Sequence, residues 1–109
     1  MVTFYCKKTC RTCQKARAWL EAKGVPFRFV DYTKDPPPPE LVRRILAEFG
    51  EGALRRRHPR AKELRSQGPE AWQRAINEDP NLLIRPILVF DDGRYAVGFD
   101  PEYWERLFS

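Results

Sequence analysis

Residues 2–24 read VTFYCKKTCRTCQKARAWLEAKG, and two periodicities meet inside them. Residues 2–5 form a β-branched and aromatic run that ends at Cys6, the composition of a short strand. From Cys13 onward the apolar residues Cys13, Ala16, Trp19 and Leu20 recur at helical spacing with Arg and Lys between them, and Gly24 stands where a helix stop is expected. A strand therefore hands over to a helix that starts near Cys10. The three cysteines of the chain, Cys6, Cys10 and Cys13, all fall at that handover. A disulfide framework would spread an even number along the chain, so this clustering marks a site.

Working outward, residues 25–31 alternate Val25, Phe27 and Phe29 against Arg28, with Pro26 in the first turn of the run. This is a second strand, and the three elements form a βαβ unit with parallel strands. Asp35 and the prolines 36–39 make a stiff connector, after which Val42, Ile45, Leu46 and Phe49 predict a helix ending at Gly50. Residues 54–62 are strongly basic and broken by Pro59, so they read as a loop, with a short helical piece over 61–65. A helix led by Pro69 and Glu70 carries Ala71, Trp72, Ala75 and Ile76 on one face and ends at Asp79-Pro80. Residues 87–90, the turn Asp91-Asp92-Gly93 and residues 94–99 read as an antiparallel hairpin. Asp100 as N-cap and Pro101 at the first helical position open a last helix with Trp104, Leu107 and Phe108 as its apolar stripe. This order predicts an α/β, thioredoxin-like fold: one domain over residues 1–109, with a four-stranded mixed sheet, helices on both faces and no dividing linker.

The chain has 109 residues, 42% hydrophobic and 32% charged, which suits one small folded domain rather than a disordered chain. No apolar run approaches the roughly 18 residues of a membrane span, and no signal-peptide pattern opens the chain, so a cytoplasmic protein without membrane attachment is expected. The net charge of +5 suits an anionic substrate, an acidic partner or nucleic acid. Its densest run, Arg55, Arg56, Arg57, His58 and Arg60, lacks the interleaved aromatics that stack on bases. Nucleic acid is therefore disfavoured, and a solvated face or a surface for an acidic protein is the simpler reading.

Cys10-Arg11-Thr12-Cys13 is a CxxC at a strand-to-helix junction, the placement of a redox motif. A thiolate at Cys10 meets the positive end of the helix dipole and its unpaired N–H groups, with Lys7, Lys8 and Arg11 adding positive potential. Cys10 is thus the expected nucleophile. Cys13, one turn on, is its expected resolving thiol, and a disulfide to Cys10 is geometrically reasonable; as the alternative, Cys13 is a small core residue. Cys6 is either a second resolving partner or an inert, packed thiol. The full spacing Cys-x3-Cys-x2-Cys matches the iron–sulfur triplet of radical SAM enzymes, but those need a far longer barrel and carry an aromatic where this chain has Thr12. Structural zinc wants four ligands and the one histidine is the distant His58, so no metal is expected.

Four blocks, residues 5–16, 29–35 (FVDYTKD), 84–89 (IRPILV) and 97–103 (VGFDPEY), resemble the family of glutaredoxin-dependent arsenate reductases, the regulator Spx and their small relatives. The resemblance implies a thioredoxin-like fold with an inserted helical segment and Cys10 as the active cysteine. It further implies a cis bond at Pro86 across from that cysteine, Arg85 as an anion-binding arginine that also lowers the Cys10 pKa, and another active-site arginine at Arg55, with Arg56 in the adjoining register. Arg11 completes the expected substrate-binding set. Arsenate reductases of this type bring a third arginine from the last strand region, where this chain has Val97-Gly98-Phe99. The activity implied is an arsenate reductase-like thiol oxidoreductase acting on a small oxyanion or a disulfide. Cys13 or glutathione would resolve the adduct, glutaredoxin or thioredoxin would donate electrons, and no cofactor would be bound. The alternative is an Spx-like redox sensor whose CxxC alters docking to a transcription partner.

Overall fold

The computed structural model describes residues 1–108. In chain order the elements are β1 (Val2–Cys6), α1 (Arg11–Ala22), β2 (Phe27–Asp31), α2 (Pro39–Phe49), α3 (Ala61–Leu64), α4 (Pro69–Glu78), β3 (Ile87–Val89), β4 (Tyr95–Val97) and α5 (Pro101–Leu107), with 3-10 turns at Gly50–Ala53 and Pro80–Leu82. They fall into two compact units, one of Met1–Asp31 with the chain from Arg85 onward and one of Tyr32–Ile84. The second unit corresponds to the expected helical insertion.

The first unit holds the four-stranded sheet, in the order β2-β1-β3-β4. β1 and β2 run parallel, whereas β3 is antiparallel to both β1 and β4. Period-two alternation puts Val2, Phe4 and Cys6 on one face of β1. In register with Phe4 lie Phe29 on one side and Leu88 on the other, and Ala96 follows across β4. This row shares one core with Cys13, Ala16 and Leu20 of α1 and with Trp104 of α5. The Trp104 ring meets Trp19 edge-on at 5.6 Å and Phe99 at 4.8 Å, and its indole N–H donates to the Gly98 carbonyl at 3.1 Å.

Local chemistry trims the predicted strands. β2 starts at Phe27 because Pro26 has no N–H and the Val25 N–H is taken by the Leu20 carbonyl at 3.0 Å, as the chain leaves α1. β4 stops at Val97 because Gly98 turns into the left-handed region at φ +82°, where its N–H reaches the Pro86 carbonyl at 2.8 Å. α5 begins as expected, the Asp100 carboxylate accepting the Glu102 N–H at 3.0 Å.

In the second unit, α2 buries Leu41, Val42, Ile45 and Leu46, while α4 buries Trp72, Ala75 and Ile76. Both open with a proline in the first turn, where its missing N–H costs nothing. Buried polar tips find backbone acceptors: Tyr32 donates to the Leu83 carbonyl at 2.6 Å and Trp72 to that of Leu64. The basic stretch is anchored at its base, with Leu54 bridged to Leu83 and the Arg55 N–H bound to the Leu82 carbonyl at 2.8 Å. Within it His58 is largely buried. Its Nδ1 accepts the Arg60 N–H at 3.1 Å, which requires the ring proton on Nε2, and Nε2 lies 2.8 Å from an Asp79 oxygen. Arg60 pairs with Glu63 and Glu78, so part of the arginine excess is neutralised within this unit.

Two outcomes test this packing. Trp104→Ala is expected to cost about 3–5 kcal/mol in denaturant unfolding, as for other buried tryptophans; a loss within error of zero would refute the central position given to that ring. The Asp79 pKa lies below its ordinary value, chiefly through the hydrogen bond with His58 and then the Asn81 N–H, against the opposing effect of burial. A carboxylate with a depressed folded pKa stabilises fully above its unfolded pKa of about 3.9, and that contribution is lost as pH falls through the folded value. The gap in unfolding midpoint between the wild type and Asp79→Asn should therefore be widest near neutral pH and shrink in acid; a pH-independent gap would contradict the assignment.

Candidate active site around Cys10

Cys10 is the N-cap of α1, with extended backbone at φ −81° and ψ 126°. The approach to it is held by local bonds: the Cys10 N–H donates to the Lys7 carbonyl and the Gln14 side-chain amide to the Lys8 carbonyl, each at 3.0 Å. Cys10 is half-buried and its thiol is free. Burial pushes that thiol up, but hydrogen bonding from the Cys13 backbone N–H, the hydrogen bond and charge of the Arg85 guanidinium, and the Thr12 N–H outweigh it. The net result is a pKa below the ordinary thiol value, so the thiolate is favoured.

Arg85 is placed by the segment entering β3. The Arg85–Pro86 peptide bond is cis, as the resemblance implies, and Pro86 is fully buried. The structure thus brings together Cys10, Arg85, Pro86 and the first-turn N–H groups of α1. The positive charge acting on the sulfur is that of Arg85, whereas Arg11 and Lys8 are solvent-exposed. Arg55 belongs to the second unit, half-buried, where its guanidinium donates to the Asn81 carbonyl at 2.9 Å. One edge of its fork is thereby occupied by the protein itself.

In this structure Cys13 is not paired with Cys10. Cys13 is joined to Cys6, with their Cα atoms 5.9 Å apart, and both are buried. The reason is geometric: Cys6 shares the inner face of β1 with Val2 and Phe4, and Cys13 opens the inner stripe of α1 with Ala16 and Leu20. Cys10, outside the helical stripe at the cap, is left over. The Lys7 N–H also points at the Cys13 sulfur, at 3.3 Å. Both halves of this pairing are visible in the sequence as periodicity; what the periodicity does not show is that the two faces oppose each other at these positions.

The site predicts a measurable titration. The rate of Cys10 alkylation against pH should have its midpoint below the roughly 8.5 of an ordinary thiol. Arg85→Gln removes the charge that stabilises the thiolate, so its midpoint should move up and its rate at neutral pH should fall. Identical midpoints in the two folded proteins would remove Arg85 from the site.

Against known proteins, the chain is 33% identical over 113 aligned residues to the global transcriptional regulator Spx of Bacillus subtilis, an alignment covering 97% of this chain and 86% of that protein. Among solved structures it is similar to the YFFB protein, at a TM-score of 0.85 and 28% identity with 100% of each chain covered. It is also similar to arsenate reductase from Vibrio cholerae, at a TM-score of 0.78 and 27% identity, covering 96% of this chain and 95% of that one. The model of the ArsC family matches residues 5–107, nearly the whole length and every element of the site just described, and the chain belongs to that family.

Proposed function

We propose that this protein is a thiol oxidoreductase that uses Cys10 as its nucleophile. The observation that carries the reading is the half-buried Cys10 sulfur beside Arg85, whose charge and hydrogen bond favour the thiolate. With a disulfide substrate, the thiolate forms a bond to one sulfur while the substrate S–S bond breaks and the other half leaves as a thiolate. With an oxyanion substrate, the thiolate attacks the central atom, one oxygen is protonated and leaves as water, and Arg85 holds the negative charge on the remaining oxygens; attack of a second thiol on the Cys10 sulfur then breaks its bond to the central atom, which departs with the electron pair. A second thiol, Cys13 in the reduced protein or external glutathione, then attacks the Cys10 sulfur and completes the two-electron reduction. Glutaredoxin or thioredoxin would restore the thiols.

Between the two substrate classes, Gly98 favours the disulfide. It occupies the region from which arsenate reductases bring a third arginine, and its φ of +82° is a conformation an arginine would adopt only at a cost of roughly 1–2 kcal/mol. A tetrahedral oxyanion is best held by several planar forks, and this chain supplies fewer.

The 33% identity to Spx supports a second reading, a redox-responsive regulator that docks on a transcription partner. One set of assays separates the two. Reduction of arsenate and of a small disulfide is measured with glutathione plus glutaredoxin and, separately, with thioredoxin. Turnover in at least one system that disappears in Cys10→Ser supports the enzyme, whereas turnover unchanged by that substitution rejects it. A partner retained from cell extract only under one redox condition, with no turnover in any system, favours the regulator.

A further inference from the structure

Cys6, Cys10 and Cys13 differ sharply in access. Cys6 is fully buried, Cys13 is 2% exposed and Cys10 alone is open enough to meet a substrate. Cys13 is the sulfur with two neighbours: it lies one helical turn beyond Cys10 and is bonded to Cys6. Residues this buried are not placed to attack a bulky oxidant directly.

We propose that Cys6 is the terminal resolving thiol of a three-cysteine relay, in which Cys10 meets the oxidised substrate, Cys13 passes the bond inward and Cys6 receives it. The proposal rests on Cys10 being the nucleophile of a thiol oxidoreductase. The steps balance as follows. The Cys10 thiolate attacks a substrate disulfide, forming a mixed disulfide and releasing one substrate thiolate. Cys13, deprotonated, attacks the Cys10 sulfur, so the second substrate half leaves and a Cys10–Cys13 bond forms. Cys6, deprotonated, then attacks the Cys13 sulfur, and the Cys10 thiolate leaves. The two protons given up by Cys13 and Cys6 balance the two substrate thiols, and the protein has supplied two electrons as the Cys6–Cys13 disulfide.

The last step has a chemical direction. In thiol–disulfide exchange the thiol of lower pKa is the better leaving group. Arg85 and the first-turn N–H groups stabilise the Cys10 thiolate, whereas Cys6 lies at the inner end of β1 among apolar residues. The relay therefore regenerates the attacking group at the surface and stores the oxidation inside, away from small external thiols. Resetting runs the last exchange backwards, to Cys10–Cys13, whose Cys10 sulfur a dithiol donor of the thioredoxin class attacks and reduces.

Trypsin makes the relay readable, because Lys7, Lys8, Arg11 and Lys15 place the three cysteines on separate peptides, residues 1–7, 9–11 and 12–15. The fully reduced protein is mixed with a stoichiometric amount of hydroxyethyl disulfide, quenched in acid at intervals, alkylated in denaturant, digested and mapped by mass. The expected course is a transient adduct on peptide 9–11, then a bridge between peptides 1–7 and 12–15 with Cys10 alkylated, and both halves of the probe released. An end point with Cys10 bridged to Cys13, or with the adduct persisting on Cys10, overturns the relay while leaving Cys10 as the nucleophile. A first adduct anywhere other than Cys10 overturns the relay together with the function it rests on. Cys6→Ala should stop at the Cys10–Cys13 bridge and lose the alkylatable Cys10 at the end point; retention of a free Cys10 in that variant also counts against the relay. The wild-type map carries the test by itself if the variant does not fold.

Discussion

The inner face of β1 against the inner stripe of α1 is the constraint on which the rest of the first unit depends. Val2, Phe4 and Cys6 point one way because strand side chains alternate, and Cys13, Ala16 and Leu20 share a face because a helix repeats every 3.6 residues. Burying these two rows together sets where α1 begins relative to the end of β1. That start is where Cys10 caps the helix, so the position of the candidate nucleophile is a by-product of core packing. The same row extends sideways through Phe29, Leu88 and Ala96 and is closed by Trp104.

The electrostatics of the site follow from that placement. A cysteine at a helix cap has backbone N–H groups directed at it, and the chain entering β3 adds one guanidinium. Burial opposes the charged form but is only partial, so these donors win. The exposed lysine and arginine near Cys10 in sequence do not supply the decisive charge; Arg85, distant in sequence, does. Membership of the ArsC family agrees with this arrangement, while the likeness to both arsenate reductases and Spx shows that the same scaffold serves different ends. Gly98 bears on the choice, since its φ of +82° disfavours an arginine at that position.

The second unit explains part of the basic composition. A run of arginines beside one histidine reads as an undivided positive patch, yet His58 turns inward to Asp79, and Arg60 pairs at the surface with Glu63 and Glu78. Arg55 spends a donor on the Asn81 carbonyl. Apart from Glu63, three residues on from Arg60, these partners lie 18 to 26 residues away, beyond what the local charge pattern displays.

By itself the sequence determined the element order, the helix starting near Cys10, the helix opening at Pro69, the cap at Asp100, and the cysteine cluster as the candidate site. Each of these is written in local periodicity, in the φ preference of proline or glycine, or in a short motif. Element ends were legible to within about two residues, and the differences arose where one backbone bond intervened, as at Val25 and Gly98. Only the tertiary structure decided which sulfur Cys13 meets, because the choice between Cys6 and Cys10 depends on how a strand face and a helix face oppose each other. It likewise decided the inward partner of His58 and the pairing of Arg60 with Glu78. Periodicity assigns a residue to a face, but which faces meet is a property of the packed chain.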